Sequence, residues 1–335
     1  MRTDRLETEA GEGHGETRPR TKPAAEGRVR ARCDVRRRRE RRPGTIRQGT
    51  TDTGGCLDRP PDPLPTRVDL LPPLPAAYRD ALDGALDAFG LWLADEVRRG
   101  IDDHVRLLLA WSEAINLTSI RDPADIAVRH VADSLAALRW FDGHPVDRLL
   151  DLGSGGGFPG IPVGAAMGVD DLLLVDSIGK KARFLAAAID VARESVPAAA
   201  GWRAFAGRAE TLARDPDHRG RWPAVTARAV ATLGELVELS FPLLVPGGHL
   251  IAWKAGDPRD RSGLGGEIAI ARHAADAIGG GEITVGESLA PAATTSGAAL
   301  SAIGEHRLIA IRRRALRLDD RWPRDPAERR RRPWS

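Results

Sequence analysis

From residue 146 onward, short apolar runs alternate with segments in which apolar positions recur every three or four residues, the pattern of strands alternating with helices. Strands are expected over residues 148–152, 171–175, 202–206, 224–227 and 249–253, with two more over 282–287 and 306–312. A helix runs through Lys181, Phe184, Leu185 and Ile189. Another, over 233–244, opens on the capping box of Thr232 and Glu235. Pro246-Gly247-Gly248 is expected to turn the chain into the fifth strand. Such alternation predicts an α/β fold, doubly wound around a mostly parallel seven-stranded sheet.

Upstream the period is helical. Leu82, Leu86, Phe89 and Leu93 share one face, and Ile101, Val105, Leu108 and Leu109 share another, with Trp111 and Ile115 behind them. Trp92, Trp111 and Trp140 read as packing residues of this unit. Asn116-Leu117-Thr118 breaks the pattern, and Asp122-Pro123 suits a helix start with proline at its first position. The next helix places Ala127, Val128, Val131, Leu135 and Leu138 on one face, and Arg129, His130, Asp133 and Ser134 are its polar members. His130 reads either as a satisfied core histidine or as a side chain that closes the cofactor pocket. The first 66 residues have no apolar period and are expected to be disordered. The expected order is therefore an Arg-rich extension over 1–66, a helical cap over 67–145, the α/β domain over 146–313 and a basic tail over 314–335.

Charge sharpens this division. The net charge of +3 resolves into +6 over residues 1–60, +7 over 306–335 and −10 between them. The basic ends suit phosphate contact, although arginine runs such as Arg36 to Arg39 are also what a solvated tail looks like. Both cysteines, Cys33 and Cys56, lie in the extension, so the predicted domain has no disulfide, thiolate metal ligand or cysteine nucleophile. No metal site is expected. A reducing, cytoplasmic setting is expected, and no apolar run approaches the roughly 20 residues that span a bilayer.

The chemistry concentrates where the first strand ends, in LLDLGSGGGFPG at 149–160. A strand, a glycine-rich turn and a helix form the nucleotide site of open α/β sheets, because the bare backbone bends sharply and approaches a ligand closely. The segment holds a literal G-x-G-x-x-G. Counted from the strand end, however, the third glycine falls on Phe158, where a dinucleotide fold needs no side chain. Asp151, Gly153, Gly155 and Gly157 instead make the D-x-G-x-G-x-G form that suits S-adenosylmethionine. Asp176, at the second strand tip, is placed to accept ribose hydroxyls from either cofactor. Ala209 and Glu210, after the third strand, are where an adenine edge would lie in a methyltransferase.

The strings WSEAINLTSI, RHVADSL, LLDLGSGGGFPGIP, GRAETLA, TARAVATL and LVPGGHLIAWKAG, between residues 78 and 313, together resemble the 16S ribosomal RNA guanine-N7 methyltransferases, also called glucose-inhibited division protein B. The resemblance implies a class I, Rossmann-like methyltransferase fold with a helical cap, S-adenosylmethionine as cofactor, and one guanine of the small-subunit RNA in the 30S particle as substrate. It carries Gly153, Phe158, Ala209, Glu210 and Arg228 over as cofactor residues, with Asp176 added on physical grounds. Ser154 and Pro159 shape the same loop. Arg321-Trp322-Pro323-Arg324 and the arginines beyond resemble the family's basic C-terminus, with Asp325 where an arginine is common.

Guanine N7 carries a free lone pair and attacks a methyl sulfonium without losing a proton, so no general base is expected. Lys254, one of only four lysines, Arg129 and Arg324 are the expected RNA contacts. Two other readings stand beside this one: a nicotinamide-dependent dehydrogenase, and a non-catalytic RNA-binding protein that works through its arginine tails.

Overall fold

The apolar run before the glycine turn forms β1 (Arg148–Leu152), and the rest of the sheet grows outward from it. The computed structural model describes residues 64–289 and 306–335, all within the unit that spans Arg59–Ser335. Most of the expected extension, its arginine run included, and residues 290–305 lie outside the described residues.

After β1 come α6 (Gly160–Met167), β2 (Asp171–Asp176), α7 (Gly179–Ala192), β3 (Arg203–Ala206), α8 (Ala209–Arg214) and β4 (Trp222–Arg228). Then follow α9 (Leu233–Ser240), β5 (Leu244–Ala255), α10 (Leu264–Ile278), β6 (Gly281–Ser288), β7 (His306–Arg313) and a last helix, α11 (Pro326–Arg331). The strand order is β3-β2-β1-β4-β5-β7-β6. Every pairing is parallel except those of β7 with β5 and β6. This is the class I methyltransferase arrangement.

Strand side chains alternate between faces, and the two cores follow that alternation. Leu149, Leu172 and Leu174 face one side, against Ile161 of α6, Phe184 of α7 and the cap. Leu150, Leu173, Val175 and Val225 face the other, against Leu212 of α8, Leu236 of α9 and Ile268 of α10. A sheet covered on both faces explains why its strands read as unbroken apolar runs.

The cap comprises α1 (Ala76–Phe89), α2 (Asp95–Ser112), α3 (Pro123–Ile126), a π-helical turn (Ala127–Ala132), α4 (Asp133–Leu135) and α5 (Leu138–Phe141). Asp122 caps α3 by accepting from the Asp125 amide at 3.0 Å, with Pro123 next to it as expected. The single helix expected after it is broken by the π turn, yet Ala127, Val128, Val131 and Leu135 are all buried. Trp92 corrects the packing expectation, being 82% exposed, while Trp111 is buried and donates its indole N–H to the Pro65 carbonyl at 2.6 Å.

Three other departures concern β5, α9 and the basic segment. Pro246-Gly247-Gly248 does not end a segment, because β5 runs through it, with a register shift against β4 between Trp222 and Ala224. A side chain at Gly248 would meet the carbonyls of Pro223, Val245 and Trp222 at 2.9–3.1 Å, so only glycine lets the strand pass. The helix expected to reach residue 244 stops at Ser240, and the basic segment beyond β7 folds back over it instead of trailing away. No helix among the described residues is long and apolar enough to cross a membrane.

Candidate functional site

β1 ends on a buried carboxylate that organises the turn after it. Asp151 accepts from the Thr226 hydroxyl at 2.7 Å and from the Gly160 amide at 3.2 Å, which ties the first turn of α6 to β4. Burial raises its carboxyl to about 6. Gly153, Gly155 and Gly157 all take left-handed φ, at 66°, 56° and 87°, as the expected close turn requires. From above, Asp176 holds the loop: its two oxygens accept from the amides of Gly155 (3.0 Å) and Ile178 (2.8 Å). The residue expected to take ribose hydroxyls thus fixes the loop backbone.

From below, the loop rests on a histidine that the sequence pattern passes over. His104, fully buried on α2, donates Nε2–H to the Gly156 carbonyl at 2.8 Å, and its Nδ1 is buried without a partner. Burial lowers it to about 4, so the ring is neutral at pH 7. Its only signal in the sequence was one polar side chain on the apolar stripe of Ile101, Val105 and Leu108. Phe158 is packed between this ring and that of His130, at centroid distances of 4.8 and 4.9 Å, with the Arg228 guanidinium 5.5 Å from its own centroid. Its side chain is therefore a floor under the loop.

Two cavities open at the carboxyl edge of the sheet. One, of about 310 Å³, is lined by Gly153, Val175, Ser177, Ala209, Glu210 and Arg329 among others, and so brings together three of the predicted cofactor residues. The other, of about 710 Å³, is lined by Arg129, His130, Asp133, Arg228, Lys254 and His306 among others. The loop after β4 stands between them: Ala229 lines the larger, Val230 and Ala231 the smaller. Ala229 has φ 56°, strained for a residue with a Cβ, and such strain concentrates at functional loops.

The larger cavity is built around Asp133, whose carboxylate is buried between Arg228 NH1 and His306 Nδ1, each at 2.8 Å. The Trp253 indole N–H donates to the Asp133 carbonyl at 3.0 Å. Arg228, expected beside the cofactor, therefore joins the cap to β4 and faces the larger cavity. His130 accepts from Arg228 at Nδ1 (3.4 Å), so Nε2 carries its proton and donates to the Thr118 hydroxyl (2.7 Å). Burial, aided by the adjacent Arg228 charge, lowers it to about 3. His130 is thus a satisfied histidine whose ring lines the larger cavity and not the one bordered by Gly153, Ala209 and Glu210.

Two of the expected RNA contacts have partners within the chain. Lys254 Nζ donates to the Ala231 carbonyl (2.9 Å) and pairs with Glu267 (2.6 Å), which also accepts from the Leu233 amide (2.7 Å). Its ammonium clamps the loop between the cavities. Arg324 grips the fully buried Glu238 through Nε and NH2 (3.0 and 2.6 Å) and lies against the rings of both Trp322 and Trp334, which stack on each other. Its NH1 donates to the Arg332 carbonyl at 2.9 Å, so all three guanidinium nitrogens are engaged within the chain. Asp325 caps α11 by accepting from the Ala327 amide at 2.8 Å, which explains an acid where the family's basic run continues. Arg129 alone of the three is exposed at the cavity rim, without a carboxylate partner among the described residues. Among those residues no group of three or more His, Cys, Asp or Glu is placed to hold a metal.

Residues 98–265 match the family model described as rRNA small subunit methyltransferase G. The chain is 44% identical to the protein named ribosomal RNA small subunit methyltransferase G of Roseiflexus castenholzii, over 51% of this chain and 70% of that one. It is 40% identical to the protein of that name from Roseiflexus sp. strain RS-1, over 62% and 83% of the two chains. With that of Symbiobacterium thermophilum the identity is 34%, over 61% and 80%.

Proposed function

The chain belongs to the rRNA small subunit methyltransferase G family, and we propose that it transfers the methyl group of S-adenosylmethionine to N7 of a guanine in 16S ribosomal RNA. Family membership sets aside the dehydrogenase and the non-catalytic reading. The observation that carries the proposal is the pair of cavities sharing the loop Ala229 to Ala231 as a wall, beside the glycine turn. One has the size and lining for an adenosyl group, and the other has room for a nucleobase with its sugar.

In this reading Gly153, Ala209 and Glu210 border the adenosyl group, the backbone of Phe158 faces the sulfonium end, and Asp176 acts by holding Gly155. The base enters the larger cavity, with Arg129 at its rim to meet a phosphate. The N7 lone pair attacks the methyl carbon; the carbon–sulfur bond breaks, its electrons return to sulfur, and S-adenosylhomocysteine leaves. No proton moves in that step. Positive charge passes to the base, so the work of the protein is alignment and charge balance. The Asp133 carboxylate, with two cationic or donating neighbours, supplies a fixed local field there. The substrate is a small-subunit RNA, naked or assembled, in the cytoplasm.

Incubation with 30S particles from a strain lacking this modification, followed by nucleoside mass analysis, is expected to give 7-methylguanosine in the 16S RNA. Methylation at another atom, or none in the presence of bound S-adenosylmethionine, would overturn the proposal.

A further inference from the structure

The basic segment after β7 reads as an RNA-binding arm, but its contacts point inward. The Pro323 carbonyl accepts from Arg214 at 3.0 Å, and the Trp322 and Asp319 carbonyls accept from Arg219 at 2.9 and 3.2 Å. These bonds hold the segment against the chain around α8. Trp322 is buried, Arg324 is locked on Glu238, and the Trp334 indole N–H donates to the same carboxylate at 2.7 Å. The segment is thereby fixed at both ends of α11.

Arg329, on α11, is what this anchoring delivers. Its NH2 donates to Glu210 Oε1, and its NH1 donates to the Arg324 carbonyl at 3.2 Å. Both partners of the ion pair are nearly buried, with side chains 10% and 6% exposed, and both line the smaller cavity. Glu210 Oε2 makes no hydrogen bond among the described residues. Without Arg329 the carboxylate would keep only the more distant Arg208, 4.0 Å from Oε1 and itself largely exposed, and would be free to change rotamer. With Arg329 on one oxygen it is held in place, with the other oxygen left to accept a donor.

We propose that Arg329 is a positioning residue of the cofactor site, and that the segment from Asp319 to Trp334 is a wall of that site and not an arm for RNA. The ligand chemistry is that of an adenosyl group, whose exocyclic amine and ribose hydroxyls are the donors a fixed carboxylate accepts. The inference rests on the reading that S-adenosylmethionine occupies the cavity over β1, β2 and β3.

Calorimetric titration of the full chain with S-adenosylmethionine, beside steady-state kinetics on 30S particles, tests it. Arg329→Met is expected to raise the Kd and the KM for the cofactor about tenfold or more, with the KM for 30S particles unchanged. Arg329→Lys, which keeps a cation, is expected to recover part of the loss. In the cycle with Glu210→Gln, the double variant is expected to bind about as weakly as the worse single one, because both remove one device. A role in folding alone would lower Tm, leave the Kd at low temperature unchanged and make the two effects additive; either result would overturn the inference. So would a raised KM for the RNA with an unchanged cofactor Kd. Failure of the unaltered protein to bind S-adenosylmethionine would instead overturn the reading beneath the inference.

Discussion

Asp133 in the cap and Arg228 at the end of β4 form a buried ion pair 2.8 Å long, between residues 95 positions apart. It links the two parts of the molecule at the floor of the larger cavity. Removing one partner of a buried pair leaves an uncompensated charge. Arg228→Met is therefore expected to lower the unfolding free energy by about 3–5 kcal/mol in urea titration. Adding Asp133→Asn removes the orphaned charge, so the double variant is expected to be more stable than Arg228→Met alone.

The three left-handed glycines of the turn are not equivalent. A methyl at Gly155 would find only ordinary contacts, at 3.8 and 4.0 Å, whereas one at Gly157 would come within 2.7 Å of Ile161 and 2.8 Å of His104 Nε2. Gly155→Ala is expected to cost about 1–2 kcal/mol from backbone strain. Gly157→Ala is expected to cost roughly 3 kcal/mol or more and to weaken cofactor binding, since His104 must leave Gly156. Thermal melts and titration of both variants test the ranking.

Two buried groups give stability pH dependences of opposite sign. His104, held near 4 when folded, stays neutral while the unfolded chain binds a proton below its ordinary value of 6.5. Its contribution is lost as pH falls from 6.5 towards 4, by about 3 kcal/mol in all. Asp151, at about 6 when folded against an ordinary 3.8, binds its proton first in the folded state. It therefore adds stability as pH falls from 6 towards 3.8. His104→Gln, which keeps a donor for Gly156, is expected to flatten the acid loss, and Asp151→Asn to steepen it, in urea titrations across this range.

Arg129 and Arg324 are expected to separate in RNA binding. Arg129→Gln should reduce the slope of log affinity against log salt by about 0.7–0.9, the release expected for one phosphate contact. Arg324→Gln should leave that slope unchanged and destabilise the fold by about 3–5 kcal/mol, because it abandons the buried Glu238. Filter binding over a potassium chloride series, with melts alongside, distinguishes them.

The strands and the glycine turn were legible because apolar periodicity and left-handed glycines are local properties, written within ten residues of one another. Partners were not. Lys254 attracts attention as one of four lysines and Arg324 as part of a basic run, but Glu267 and Glu238, which occupy them, read only as polar positions on α10 and α9. Glu238 and Arg324 stand 86 residues apart, and no local pattern relates them. His104 was hidden for the opposite reason, since a single polar residue in an apolar stripe looks the same whether it is merely tolerated or supports a loop. Trp92 was misplaced because a large apolar side chain signals burial on average, not at each site.

Glu210 meets Arg329 across 119 residues, and synthesis runs in one direction. A growing chain therefore has all seven strands before it has α11, and until that helix emerges Glu210 waits without Arg329. The pocket wall is made only after the whole sheet it borders. A message cut short just after β7 would encode the whole sheet and the glycine turn, yet not the contact that closes one side of the cavity beside them.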